Sequence, residues 1–272
     1  MTPFSGAQHI DAIVQNDCPV NPIRKQGQWI VINPYFGCEF ACSYCRAQLP
    51  WRLHFPELPW RGSIEIREHA PAFMKKNPTR FLGRQVLLST LGDPYTPIEK
   101  TKEITREILL LCREYQTHVR IITKSPLVLR DIDILKTMDV EVGIEIGTTN
   151  ERMASIIEPS APPIDHRTET LYELRDAGIR TFLHIYPYLP EITPPSMINL
   201  FAEETDFIVV NTINFKNNCL KKYFFDLLKK NDPELLIRYQ TKYLNSATYF
   251  TQTKKKILQK AEKDGIAVEV LW

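Results

Sequence analysis

Six short apolar runs recur along this chain of 272 residues, at 29–33, 85–90, 118–123, 140–146, 179–185 and 207–211. They are β-branched and nearly continuous rather than alternating, as expected of strands buried on both faces of a parallel sheet. The stretches between them carry a helical period. Within 98–115, Ile104, Ile108, Leu111 and Cys112 fall on one face. Residues 127–138 and 168–177 repeat that pattern, and Gly178 stands where a helix C-cap belongs. Strands alternating with helices imply successive right-handed βα units and an α/β fold. An open doubly wound sheet and a full or partial (β/α) barrel both satisfy this, and periodicity alone does not choose. Residues 1–28 read as an N-terminal extension and 29–215 as the core. Residues 216–272 read as a helical C-terminal cap of the same domain, ending in a strand-like run at 266–271. The proline-rich stretches at 50–59, 159–163 and 187–195 follow strands or the cysteine loop and read as ordered loops around a site.

Composition narrows the class. Hydrophobic residues are 43% and charged residues 24%, which suits a chain with a buried core and not a disordered one. The longest apolar run, 108–112, is far short of the roughly 20 residues needed to cross a bilayer, so no membrane partner is expected. The opening MTPFSGAQHIDA has neither the basic nor the apolar region of a secretory signal, and a cytoplasmic location is expected. Net charge is +2, but residues 216–264 hold 12 Lys or Arg against 5 Asp or Glu. That excess suits an anionic partner or, equally, solvated helix faces.

Six cysteines are too few to staple a chain of this length, and three of them lie within eight residues. Cys38, Cys42 and Cys45 have the spacing C-x3-C-x2-C directly after the first strand, with Gly37 turning the chain into the loop and Tyr44 beside the third thiol. Three soft donors on one loop can hold three corners of an iron–sulfur cube and leave one iron open. Zinc is the alternative; as a structural ion it would need a fourth donor from His54, Cys18 or Glu39. Unliganded reactive thiols are a third reading. Cys18, Cys112 and Cys219 are scattered and form no second ligand set.

The motif C-x3-C-x-aromatic-C after a first strand resembles the radical S-adenosylmethionine (radical SAM) superfamily. Similarity extends through the NPYxGC lead-in, LGDPYTPIEKTKEITRE (91–107), ITKSPLVLRDIDIL (122–135), Glu158-Pro159 and LYELRDAGI (171–179), and these segments resemble the spore photoproduct lyase-like branch. The resemblance implies a partial (β/α)6 barrel of the TIM type. It also implies a [4Fe–4S] cluster on Cys38, Cys42 and Cys45 whose open iron chelates S-adenosylmethionine. One-electron reduction would cleave that cofactor to methionine and a 5′-deoxyadenosyl radical that abstracts a substrate hydrogen. A reducing electron donor of the flavodoxin or ferredoxin type is then expected.

By the same resemblance Tyr44, Thr90, Gly92, Asp93, Lys124, Glu145 and Arg167 are candidate cofactor-binding residues. Gly92 would admit close backbone approach, Asp93 would accept from the methionine ammonium, and Lys124 would pair with its carboxylate. Glu145 would meet ribose hydroxyls, or would form an ion pair with Arg167 or Lys124. Tyr95, His184 and Tyr186 are weaker candidates for a catalytic role. Photoproduct lyases carry a hydrogen-donating cysteine where this chain has Thr90, which counts against DNA repair. The expected substrate is a small molecule or compact peptide. A nucleic-acid-directed enzyme and a zinc-stabilised, non-redox binding protein are the alternatives.

Overall fold

The computed structural model describes residues 12–15, 23–26, 28–194, 196–213, 218–243 and 247–272. Two short strands come first, β1 (Ala12–Gln15) and β2 (Ile23–Gln26). Next come β3 (Trp29–Ile32), β4 (Tyr35–Phe36), β5 (Ser63–Ile66) and β6 (Gln85–Leu88). They are followed by β7 (His118–Thr123), β8 (Val140–Glu145), β9 (Arg180–Tyr188), β10 (Phe207–Thr212) and β11 (Val268–Val270). All six sequence-predicted strands are present, with β9 ending three residues later than expected.

The main sheet has the order β11-β10-β9-β8-β7-β6-β3-β2. Seven strands are parallel and β2 lies antiparallel on β3. Among the described residues β2 and β11 do not pair, so the sheet curves as an open, partial barrel. A second sheet, β1-β5-β4, lies beside the cysteine loop. Parallel strands need helical crossovers, and the residues that fill the core are those the runs supplied: Ile32, Val86, Leu88, Ile121, Val142, Ile144, Leu183 and Ile208 are all buried.

The helices differ from expectation in two places. The period across 98–115 predicts one helix, but there are two, Glu99–Lys102 and Ile104–Glu114, broken at Glu103 with φ of 51°. The buried Glu99 carboxylate explains the break, because it accepts from the backbone N–H groups of Thr105 (2.9 Å) and Arg106 (3.3 Å). It thereby satisfies the free donors of the second helix. The apolar face, Ile104, Ile108, Leu111 and Cys112, is buried as read. Residues 127–138 form a 3-10 segment, Pro126–Asp131, and a short helix, Ile132–Leu135. The helix Ile164–Asp176 ends at Gly178, whose φ of 76° is the left-handed C-cap geometry.

The C-terminal segment, residues 218–272, adds helices and extends the sheet. Its helices Asn218–Asn231, Pro233–Arg238 and Ala247–Asp264 are followed by β11, which pairs with β10. Phe224, Leu228, Leu235, Tyr239 and Tyr243 share one apolar cluster with Cys38, Phe40, Cys42 and Tyr44. Among the described residues no helix is long and apolar enough to cross a membrane.

Candidate active site

The strand β3 ends at Ile32, and from Asn33 the chain turns into the cysteine loop. Gly37 takes a φ of 92°, and a side chain there would meet the Ser63 carbonyl oxygen at 2.6 Å. The loop is pinned at four points. Gly37 N–H donates to the Leu91 carbonyl (3.0 Å) and Ser43 N–H to the Ile157 carbonyl (2.8 Å). The Glu39 carboxylate accepts from Thr96 Oγ1 (3.1 Å) and Ile98 N–H (2.8 Å). The Tyr44 hydroxyl donates to Glu158.

So held, Cys38, Cys42 and Cys45 line one cavity of about 250 Å³ at the C-terminal ends of the strands. Tyr44, Thr90, Gly92, Asp93, Lys124, Glu145, His184 and Tyr186 line it too. The fold thus brings together eleven residues that sequence had named separately. Arg167 and Tyr95 do not line it. Arg167 lies behind the wall, where it pairs with Glu158 (2.6 Å) and donates to the carbonyls of Pro162 (2.7 Å) and Glu145 (3.2 Å). Tyr95 is buried in the core with its hydroxyl on Asp131 (3.1 Å).

Several of the implied ligand contacts are occupied by protein. A Cβ on Gly92 would lie 2.3 Å from the Gly37 carbonyl oxygen, so this glycine lets two loops cross. Asp93 accepts from Thr123 Oγ1 (2.6 Å), Tyr95 N–H (2.8 Å) and Lys124 N–H (2.9 Å). Burial still outweighs those bonds and raises its pKa. Lys124 Nζ pairs with Glu145 and lies 3.9 Å from Glu158. Of the two ion pairs considered for Glu145, the structure forms the one with Lys124. His184 Nδ1 lies 2.9 Å from Glu145 Oε2, and burial, Lys124 and Arg120 push its pKa down to about 3. It is therefore a neutral imidazole with Nδ1–H donating to the carboxylate. Glu158 is depressed, because Arg167 and Lys124 overcome the opposing effect of burial.

Sequence reasoning missed four residues. Asn33 Oδ1 accepts from Thr90 N–H (2.8 Å) and Leu91 N–H (3.1 Å), fixing the turn after β6. Glu39 had entered only as a metal donor. Arg46 and Asn211 also line the cavity; Arg46, next to the third cysteine, had a legible position, whereas nothing in the sequence singles out Asn211.

Three thiols on one loop suit a soft metal centre, and among the described residues no three Cys, His, Asp or Glu are grouped so as to hold a single metal ion. Burial raises the Cys38, Cys42 and Cys45 thiols, Cys42 to about 12, so these are protonated groups from which a metal centre would displace protons. Zinc's candidate fourth donors are committed elsewhere: Glu39 as above, and His54 to the Pro50 carbonyl (2.8 Å) with its ring on Phe36. Cys18 lies outside the described residues. Cys112 is buried in the core, and Cys219 lies on the helix Asn218–Asn231. One further group points to a ligand: the Tyr186 hydroxyl is buried without a hydrogen-bond partner, on a residue that lines the cavity. A buried hydroxyl left unpaired costs free energy.

Known proteins are similar to this chain in sequence or in fold. The family model described as the radical SAM superfamily matches residues 32–202. The uncharacterised protein MJ0683 of Methanocaldococcus jannaschii is 29% identical over 252 residues, 92% of this chain and 93% of that one. Spore photoproduct lyase complexed with dinucleoside spore photoproduct matches with a TM-score of 0.59 at 13% identity, over 88% of this chain and 74% of that chain. Streptococcus suis SuiB bound to S-adenosylmethionine matches at 0.51 and 15%, over 74% of this chain and 48% of that chain. At these identities the structural likeness is one of fold.

Proposed function

The chain belongs to the radical SAM superfamily and is an enzyme; from that premise we propose that Cys38, Cys42 and Cys45 hold a [4Fe–4S] cluster and that the substrate is small. The observation that carries this is the gathering of three thiols, two buried and that of Cys45 half-buried, at the strand ends, in one cavity with Lys124, Glu145, His184 and Tyr186. S-adenosylmethionine on the open iron would supply, on one-electron reduction, a carbon radical able to abstract a substrate hydrogen. The protein's part is to bind, orient and keep water out. Lys124, Glu145 and His184 form a paired polar wall, Tyr186 offers an unused hydroxyl, and the apolar cluster of the C-terminal helices covers the cysteine loop. In this reading 29–215 is the catalytic core, 1–28 an extension and 216–272 a cap of the same domain. Free thiols at a cluster loop suit the reducing cytoplasm.

The cavity of about 250 Å³ favours a small molecule or the end of a compact peptide. A nucleic-acid-directed enzyme is the second reading, favoured by the basic excess of residues 216–264. Thr90, a poor hydrogen-atom donor in place of a thiol, weighs against photoproduct repair.

The test is anaerobic reconstitution. The expected result is a brown protein with about four irons and matching sulfide per chain, which cleaves S-adenosylmethionine when reduced. Cys42→Ala should lose both properties. A colourless protein with about one zinc, or a Cys42→Ala variant with full activity, would refute the assignment.

A further inference from the structure

We propose that the face formed by residues 46–61 is the docking surface for an acidic one-electron carrier protein of the flavodoxin or ferredoxin class, an inference that rests on the cluster reading above. The helix Gln48–His54 starts three residues after Cys45. It buries Gln48 and Trp51 and turns Arg52, Leu53 and His54 to solvent. Leu53 is 82% exposed, an unusual setting for a large aliphatic side chain. Leu49, one turn earlier, lies on the same side and is half-buried.

Charge surrounds this apolar projection. Arg46, Arg52 and Arg61 are all exposed. None makes an ion pair or a side-chain hydrogen bond among the described residues; Arg61 only lies over the Tyr223 ring, 5.4 Å from its centre. Glu57 is the one carboxylate in the segment 46–61. Many arginines elsewhere are paired, as Arg67 is with Glu65, Arg130 with Glu99 and Asp131, Arg106 with Asp131 and Asp133, and Arg167 with Glu158; Arg80 and Arg84 are exposed without an ion pair among the described residues, but neither adjoins the cysteine loop in sequence. Unpaired guanidinium groups around an exposed leucine form a small surface with a polar, positive rim. Weak electron-transfer encounters use small interfaces of this kind, and opposite charge steers them.

Position supplies the second argument. Leu53 lies eight positions after Cys45, on the helix that follows the cysteine loop. A carrier seated here would bring its redox centre close to the cysteine loop. In the transfer one electron leaves the carrier's reduced cofactor, which is oxidised by one electron, and enters the oxidised cluster.

The test uses reduced flavodoxin as the probe and the full chain, both metal-free and reconstituted. The variant combines Arg52→Glu, Leu53→Asp and Arg61→Glu; Arg46 is left intact because it lines the cavity. Calorimetry at low salt should show flavodoxin binding to the parent, weakened at least tenfold by high salt and at least tenfold in the variant. Reduction of the cluster by flavodoxin should slow at least tenfold in the variant. Reduction by dithionite, iron content and the thermal midpoint should match the parent. Equal flavodoxin affinity in parent and variant, binding indifferent to salt, or no binding to the parent at low salt would each overturn the proposal while leaving the cluster assignment standing. A reconstituted parent with no dithionite-reducible cluster would instead remove the cluster assignment, and with it the redox role of this face, in an assay that contains no flavodoxin.

Discussion

Removing the Glu158 carboxylate tests the brace behind the cysteine loop. Glu158 and Arg167 lie 2.6 Å apart with side chains each only 2% exposed. Glu158 also accepts from the hydroxyl of Tyr44, which stands between Cys42 and Cys45 in the loop. Glu158→Ala strands a buried guanidinium and a buried phenol. Breaking a buried pair on one side costs about 3–5 kcal/mol. Arg167 keeps its two backbone carbonyl acceptors, so the lower half of that range, about 3–4 kcal/mol, is expected. This is a change of roughly 10²–10³ in the folding equilibrium. The double variant Glu158→Leu with Arg167→Met should lose less than half as much, because no charge is left unpaired. Urea unfolding of the metal-free chain, read by circular dichroism, measures both. The pH dependence has a definite sign. Glu158 is depressed in the folded state, so its contribution is present above the ordinary carboxylate value near 4.5 and is lost as pH falls through the lower folded one. The single variant should therefore show a shallower acid limb than the parent. A loss under about 1 kcal/mol for Glu158→Ala, or an equal loss in the double variant, would refute the claim that this buried pair holds the loop.

Three other outcomes are expected. Gly92→Ala places a Cβ 2.3 Å from the Gly37 carbonyl oxygen, and neither backbone can give cheaply; overpacking of this kind costs about 1–3 kcal/mol, and iron content after reconstitution should fall with it. Tyr186→Phe removes a buried hydroxyl without a partner, so the metal-free protein should melt no lower than the parent while S-adenosylmethionine or substrate binds more weakly by calorimetry, a loss of about 1 kcal/mol or more. His184 has its pKa lowered to about 3, so the unfolded state binds the extra proton as pH falls below about 6.5; metal-free stability should drop by roughly 2 kcal/mol between pH 6.5 and 5 from this group, and His184→Gln should remove that slope.

The parts legible in the sequence are those whose signal is short. Three thiols within eight residues announce a shared centre because one loop delivers them. Buried strands announce themselves by unbroken apolar text, which is why β7 begins and ends where it was read. The break at Glu103 was illegible because helical period ignores a carboxylate that folds back onto the next helix, as Glu99 does on Thr105 and Arg106. The site braces were illegible for a related reason. Glu39 finds Thr96 across 57 positions, Asn33 finds Thr90 across 57, and Tyr44 finds Glu158 across 114.

Tyr95 and Tyr186 show what the missing information is. Both are tyrosines just beyond or within a strand end, and both read as weak site candidates. The fold gives the Tyr95 hydroxyl an acceptor in Asp131 and gives the Tyr186 hydroxyl none. The same division runs through the charged groups. Arg167, read as a carboxylate binder or a partner of Glu158, is held by Glu158 and two carbonyls, whereas Arg46, not named at all, lines the cavity and pairs with no carboxylate among the described residues. A polar group that already has its partner stabilises the scaffold. One that the fold has buried or aimed at the cavity without a partner retains interaction energy for a ligand, since pairing it there relieves a penalty already carried by the folded chain. Function at this site therefore rests on the hydrogen-bonding capacity that folding leaves unspent, and that remainder is a property of the three-dimensional pairing, not of residue type.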